Sequence, residues 1–224
     1  AMAATHLRTG LQAAQAAGDE RLTATAQLYL ARIAIEQADL EEADELLSAC
    51  HHTHVATGDE LSLARTLREQ GLVAYRQGGY ATTTVLCHQA LAIQERLGDH
   101  AGLLGTLRLL ADTAMANGDL AQAMVYGEHS LVLAQAADLL GELAEAHFIL
   151  ATAHRMQHNY AKAHSHVEAA LALFTRFGNR SYMAYTLSEQ SVILSFDGRV
   201  DAALPLAQRA YTIQVELGDI YGQV

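Results

Sequence analysis

One pattern of 40 residues recurs five times along this 224-residue chain without an insertion or a deletion. Each copy has a small residue at the same place, and further small residues follow 12 and 19 positions later. The first of these sets consists of Ala31, Gly71, Ala111, Ala151 and Ser191. A fixed period of this length is typical of a solenoid, in which each unit buries its apolar face only against its neighbours. The sequence therefore predicts a stack of repeated units.

Each repeat is predicted to contain two helices joined by a short turn. Apolar residues before Ala111 recur at intervals of three and four, as in Leu103, Leu107 and Leu110. Glycine, Asp or Asn at most turns can close one helix and cap the next. The predicted first helices span 20–37, 60–77, 100–117, 140–157 and 180–197, and the predicted second helices span 40–56, 80–96, 120–136, 160–176 and 200–216.

A single repeat domain is predicted over residues 1–224, because no linker or change of composition interrupts the period. Its repeats span about 20–57, 58–97, 98–137, 138–177 and 178–217, with partial units at both ends. We expect the chain to be a piece of a longer array. Residues 1–17 match a second helix whose first helix is absent, and that helix presents Leu7 and Leu11. We expect it either to fray or to bury this face in a second copy, which would give a homodimer through unpaired terminal helices.

The recurring small residues, the Gly or Asp at the turns, and a leucine before the first small residue in three copies carry a family resemblance. With these features the chain resembles the tetratricopeptide repeat family along essentially its whole length. Its 40-residue period and Gly-Asp turns resemble a longer subtype, found in large bacterial signal-responsive regulators and in scaffolds that bind helical peptides. HEAT-type repeats share this length and are the structural alternative. The resemblance implies an all-α, right-handed superhelix of five tandem helix-turn-helix repeats.

In this family the first helices line a concave groove, at fixed offsets from the small residue. Those offsets imply the groove residues Arg32, Arg65, Arg68, Leu72, Tyr75, Arg108 and Asp112. Four of the 13 arginines would thus converge on one stretch of an otherwise acidic protein. Arginine forks suit carboxylate and phosphate groups. The alternative is that they pair with acids of the chain itself, such as Glu69 and Asp112.

Composition limits the classes of partner. The net charge of −11 disfavours nucleic acid, whose phosphates need a basic surface. No run of about 18 apolar residues, the length that spans a bilayer, is present, so we expect no membrane association. Cys50 and Cys87 occupy periodic small or apolar positions and are predicted to be buried thiols of a reducing, cytoplasmic compartment.

Twelve histidines raise the question of a metal site. His147 and His154 align with buried apolar positions of other repeats, so packing and surface roles are predicted and no metal is expected. His51 and His54 end a second helix, where a positive group suits the helix dipole. No nucleophile motif, phosphate-binding loop or Cys-x-x-Cys pair is present, so we expect neither an enzyme nor a cofactor.

These observations favour a protein-interaction scaffold that binds a peptide or partner segment in its groove, with an acidic group as the preferred contact. The alternative is a ligand-sensing or regulatory arm of a larger signalling or transcription-regulator protein.

Overall fold

The computed structural model describes residues 2–218, with side chains from residue 4 onward. Within that range the chain is all-helical, with no strand. The helices are α1 (Met2–Ala17), α2 (Glu20–Glu36), α3 (Leu40–Thr57), α4 (Glu60–Arg76), α5 (Tyr80–Leu97), α6 (His100–Ala116), α7 (Leu120–Ala136), α8 (Leu140–Met156), α9 (Tyr160–Phe177), α10 (Arg180–Phe196) and α11 (Val200–Leu217). The predicted all-α architecture of successive helix pairs is confirmed, and each of the ten predicted helices ends within one residue of its expected position.

Caps and turns explain why the helix bounds follow the period. The carboxylates of Asp39 and Asp59 each accept a hydrogen bond from the backbone N–H three residues later, at 3.1 Å. Gly58 closes α3 in the left-handed conformation, with φ of 66°. The same conformation occurs at three non-glycine turn residues, Ala38, Asp138 and His158, at φ of 54–60°. The predicted cap at Asp219 lies outside the described residues.

The chain divides into two compact units, Ala1–Thr113 and Ala114–Val224. In the first unit α1 packs on α2, and α2 to α5 pack in succession; in the second unit α7 to α11 do the same. The boundary falls inside α6. The single-domain organisation and the superhelical handedness stay predictions.

Small residues sit at the helix crossings of both units. Ala31 and Ala43 are fully buried in a cluster with Leu47 of the first unit, and Ala151 and Ala163 are fully buried in the second. One small residue at each crossing lets the backbones approach and the neighbouring ridges fill the groove between them. This is why the period of small residues is also the period of the fold.

The N-terminal helix α1 is regular and lies against α2. Ala4 and Ala14 are buried there, and Leu7 and Leu11 are half-buried rather than fully presented. Arg8 of α1 also bonds to Glu42 of α3, at 2.9 Å. Packing on α2 thus removes the basis for fraying, while the homodimer stays a prediction. No helix among the described residues is long and apolar enough to cross a membrane.

Candidate functional site

A cavity of about 430 Å³ lies in the first unit. Side chains from α2, α3 and α4 and the start of α6 form its walls. The predicted groove residues Arg32, Arg65 and Arg68 all line it, together with Thr25, Leu28, Tyr29, His54, Ser62, Glu69, Asp99, Ala101 and Gly102. Ligand pockets typically enclose about 300–1,000 Å³, so this cavity has room for a small ligand or a few residues of a peptide. The structure therefore brings three of the four predicted arginines to one place.

Arg68 is held in a fixed position by two contacts. Its Nη2 donates to Oε1 of Glu69 at 2.6 Å, and the Glu69 side chain is only 6% exposed. Its guanidinium also lies over the backbone of α6 at Gly105, where an added Cβ would come within 2.5 Å of Nη1. Glycine at this position leaves the space that the guanidinium occupies. Arg68 is therefore a wall of the cavity whose charge is largely compensated by an internal carboxylate.

Arg32 and Arg65 are held less firmly. The Arg32 Nε lies 3.8 Å from Oε1 of Glu69, beyond hydrogen-bond distance, and its side chain is 52% exposed. Arg65 is exposed, and no carboxylate of the described residues forms an ion pair with it. These two guanidiniums can therefore turn toward a bound anion at little cost in existing contacts.

The remaining four predicted groove residues lie in the same unit but outside the cavity lining. Leu72 packs against the buried cluster around Leu47. Tyr75 contacts Tyr80, with ring centroids 5.7 Å apart. Burial and the nearby Asp112 raise the pKa of Tyr75. Nε of Arg108 lies 3.9 Å from Oδ2 of Asp112, which is one turn further along α6. Their role in binding stays a prediction.

His54 forms part of the cavity wall and departs from its predicted role. It is only 2% exposed, and its Nδ1 lies 3.0 Å from the Thr66 hydroxyl. Burial lowers the pKa of His54, so the ring is neutral near pH 7. For His54 the prediction of a cation at the end of α3 is therefore wrong, because position 54 faces the next helix instead of solvent. For His51 it stays a prediction.

A second carboxylate that lines the cavity, that of Asp99, belongs to a helix cap. Oδ1 of Asp99 accepts from the Gly102 N–H at 3.1 Å, and its Oδ2 is buried without a hydrogen-bond partner among the described residues. A Cβ at position 102 would lie 2.8 Å from Nε2 of Gln94, so glycine leaves room beside the buried Gln94 amide. With three arginines against Glu69 and Asp99, the cavity keeps one excess positive charge.

The sequence did not identify His54 or Asp99 as parts of this site. His54 and Asp99 lie at the turn between repeats, whereas the family offsets concern only the middle of the first helices. Gly105, in contrast, lies at one of the groove offsets of the third repeat. The absence of a side chain at this offset is the signal for a close approach of another group, which is the Arg68 guanidinium.

The second unit contains a separate group of histidines. His147 and His154 of α8 meet His166 of α9, and the Nδ1 atoms of His147 and His166 are 3.0 Å apart. The rings of His154 and His166 are stacked, with centroids 5.6 Å apart. No group of three or more His, Cys, Asp or Glu side chains in the described part of the chain is arranged to hold a metal ion.

Both cysteines are buried free thiols, as the sequence predicted. Burial raises the pKa of Cys50 and of Cys87 to about 12. A thiol needs its thiolate form to react, so neither cysteine is a nucleophile near neutral pH.

Comparison with known proteins gives the fold a name. No protein-family model matches the chain, and no curated protein matches its sequence. BtubC (BKLC) from P. vanneervenii has a similar structure, with a TM-score of 0.79 at 15% identity, covering 97% of this chain and 92% of that one. A Rap protein complexed with Competence and Sporulation Factor gives 0.77 at 16% identity, over 87% of this chain and 56% of that one.

A third similar structure is a Signal Transduction ATPase with Numerous Domains that has a tetratricopeptide repeat sensor, from Pyrococcus horikoshii. Its TM-score is 0.71 at 19% identity, over 92% of this chain and 35% of that protein. The fold is tetratricopeptide-like. Its assignment to the subtype with a 40-residue period stays a prediction.

Proposed function

We propose that this chain is a protein-interaction scaffold whose first unit binds a partner segment carrying a carboxylate. The observation that carries the proposal is the convergence of Arg32, Arg65 and Arg68 on one cavity of a chain with a net charge of −11. Arginine gives bidentate, charge-assisted hydrogen bonds to carboxylates, which fix orientation as well as adding affinity. The similar Rap protein is complexed with Competence and Sporulation Factor, which supports a binding role for such a fold.

The three arginines have different parts in this proposal. Arg65 and Arg32 are the direct contacts, because they are exposed and only weakly engaged. Arg68 is a positioning residue. It binds the Glu69 carboxylate, so that this carboxylate competes less for Arg32. Leu28 and Tyr29 line the same cavity and provide apolar contact for the chain that bears the carboxylate. The groove would continue past Leu72 and Tyr75 toward Arg108 and Asp112.

Selection from a random peptide display library tests the proposal. We expect the native chain to enrich peptides with Asp or Glu at one fixed position, and replacement of that residue by Asn or Gln to weaken binding. Each charge-assisted hydrogen bond is worth about 1.5–3 kcal/mol, so Arg32→Gln with Arg65→Gln should weaken binding roughly a hundredfold.

Arg209→Gln is the matched control, since it removes the same charge from an exposed position of the second unit. It should leave the affinity of the selected peptide within about twofold of the native value. Enrichment of peptides with no acidic position, or equal affinity for the double variant and the control, would overturn the proposal.

A second candidate function is a small-ligand sensor within a larger regulatory protein. Two observations favour it: the cavity volume of about 430 Å³ and the similarity to the tetratricopeptide repeat sensor of the ATPase. In this case a panel of dicarboxylates and phosphate esters, tested by thermal shift, would contain a compound that stabilises the chain. Loss of that stabilisation in the Arg32→Gln, Arg65→Gln variant, together with no enriched peptide, would favour the sensor over the scaffold.

A further inference from the structure

The fourth repeat has three histidines at positions where most of the other repeats have Leu or Ala. Position 147 is Leu in three of the other four copies, at Leu67, Leu107 and Leu187. Position 166 is Leu in three other copies, and position 154 is Ala or Leu in all four. The register therefore shows that histidine occupies these three positions in this repeat alone, and the three histidines meet in space.

The three rings form one connected group, which we call the imidazole cluster: His147, His154 and His166. The 3.0 Å distance between Nδ1 of His147 and Nδ1 of His166 is that of an N–H···N hydrogen bond. Such a bond needs one ring to donate and the other to accept. It therefore exists with both rings neutral or with one proton added, but two protonated rings would place like charges against each other.

His154 makes the cluster more sensitive to added charge. It is only 4% exposed and stacks on His166, and its own Nδ1 is buried without a hydrogen-bond partner among the described residues. A neutral ring tolerates this position, because its face packs like that of any apolar residue. A protonated His154 would be a buried charge with an unsatisfied N–H, beside a second titratable ring.

The charged groups around the cluster do not neutralise it. Lys162 of α9 disfavours protonation of His154 and His166, whereas Glu128 of α7 favours protonation of His154. From α10, Glu189 is already engaged by Arg155 of α8 at 2.6 Å. On α9, His164 faces Glu168 at 3.5 Å.

Burial is the first cause that lowers the pKa of all three histidines. For His166 the pKa falls to about 4, with the neighbouring His147, His154 and Lys162 contributing. A histidine whose pKa is lowered by folding stabilises the native state fully above its unfolded value of about 6.5. That stability is lost as the pH falls from there toward about 4.

We propose that the imidazole cluster is an acid-sensitive latch, which holds α8 against α9 at neutral pH and releases this pair when protons enter it. The released state is a local opening of the second unit, because each repeat of such an array packs on its neighbouring repeats and not on the whole chain. Neither the arginine cavity nor the repeat pattern requires such a device.

Hydrogen exchange of the full chain, measured as protection factors at pH 7.5 and pH 5.0, tests this. We expect the protection of α8 and α9 amides to fall at least tenfold on acidification. The variant His147→Leu, His154→Ala, His166→Leu carries the residues of other repeats, and its protection in α8 and α9 should change less than threefold. His129→Gln, which removes an exposed histidine of α7, should respond to pH as the native chain does.

Two outcomes would overturn the latch. One is native protection in α8 and α9 that is the same at both pH values, and the other is a triple variant that keeps the native response. If the triple variant does not fold, His166→Leu alone decides by the same criterion. Imidazole Cε1–H resonances give an independent measurement, and titration of His147 and His166 at or above pH 6.5 would equally refute the proposal.

Discussion

The two units use the same helix frame but place their ionisable groups differently. In the first unit the arginines lie at the walls of an open cavity, with Glu69 as the internal partner of Arg68. In the second unit a comparable, half-buried pair exists, Arg155 with Glu189, and Glu189 is in the same register as Glu69. The imidazole cluster of that unit is instead packed between α8 and α9. A repeat thus determines where helices cross, while single departures from it determine what chemistry each unit can perform.

The contacts between the end of a second helix and the following first helix show the same contrast. In the first unit the buried His54 and Gln94 hydrogen-bond to Thr66 and Thr106, each 12 residues further on. In the second unit the residues in the same register are Ala134, Phe174 and Gln214, and Phe174 stacks on Tyr182 with ring centroids 4.7 Å apart. A hydrogen-bonded contact of this kind needs both polar partners, whereas an aromatic contact needs only side chains that fill the space.

The largest effect should come from overfilling a helix crossing. Ala151 of the second unit and Ala31 of the first are both fully buried. We expect Ala151→Leu and Ala31→Leu each to lower the free energy of unfolding by roughly 1–3 kcal/mol, because neither crossing has space for the added carbons. Urea unfolding at pH 7.5 measures this. A loss in only one unit would mean that the crossings are not equivalent.

A glycine pair separates close packing from helix propensity. At Gly127 an added Cβ would lie 2.9 Å from Cδ2 of Leu150, whereas at Gly10 of α1 nothing lies within 4 Å. We expect Gly127→Ala to destabilise the second unit by roughly 1–2 kcal/mol, since Leu150 is itself buried. Gly10→Ala should stabilise α1 by up to about 1 kcal/mol through propensity alone. Equal effects on the unfolding midpoint would contradict the close contact.

A missing cap can be restored in the second unit. Asp59 caps α4, whereas the residue in the same register before α8 is Leu139, which makes no side-chain cap bond. We expect Leu139→Asp to add about 1 kcal/mol to the free energy of unfolding, and Asp59→Ala to remove a similar amount. Thermal unfolding checks both. A neutral Leu139→Asp would indicate that the leucine's own packing there matters more than the cap.

The smallest effect at neutral pH is expected for His54→Gln. Gln94 shows that glutamine can accept a hydrogen bond from threonine one repeat later, so stability at pH 7.5 should change by less than about 1 kcal/mol. Because burial lowers the pKa of His54, the native chain loses stability as the pH falls below about 6.5, and the variant should lose less. Urea midpoints at pH 7.5 and 5.0 that shift equally in both chains would show that His54 is not protonated on unfolding.

The fold was predictable because its determinants are local and repeated. Turn residues and small residues occur at fixed positions, so each copy supports the assignment of the others. The site was predictable only in part. The family offsets correctly grouped Arg32, Arg65 and Arg68, which line one cavity. They also included Leu72, whose side chain packs against the buried core cluster instead.

Two examples show why the other features of the two units could not be predicted from the sequence. His54 was assigned from its distance to the helix end, but its burial depends on α4, which packs over it. The contact of His147 with His166 joins α8 to α9, and the sequence separation of 19 residues gives no direction for either side chain. Both depend on tertiary packing, which side-chain spacing within one helix does not report.

Three turns of the molecule have a backbone conformation that glycine would adopt at lower free-energy cost than the residue present. Ala38, Asp138 and His158 adopt a left-handed backbone that costs an L-residue about 1 kcal/mol or more, while most other turns have glycine there. Substitution by glycine would relieve each position, and none of the three residues lines the arginine cavity. A lineage that acquired a costly new residue in that cavity could therefore recover its stability at a turn, and the binding surface could change without loss of the fold.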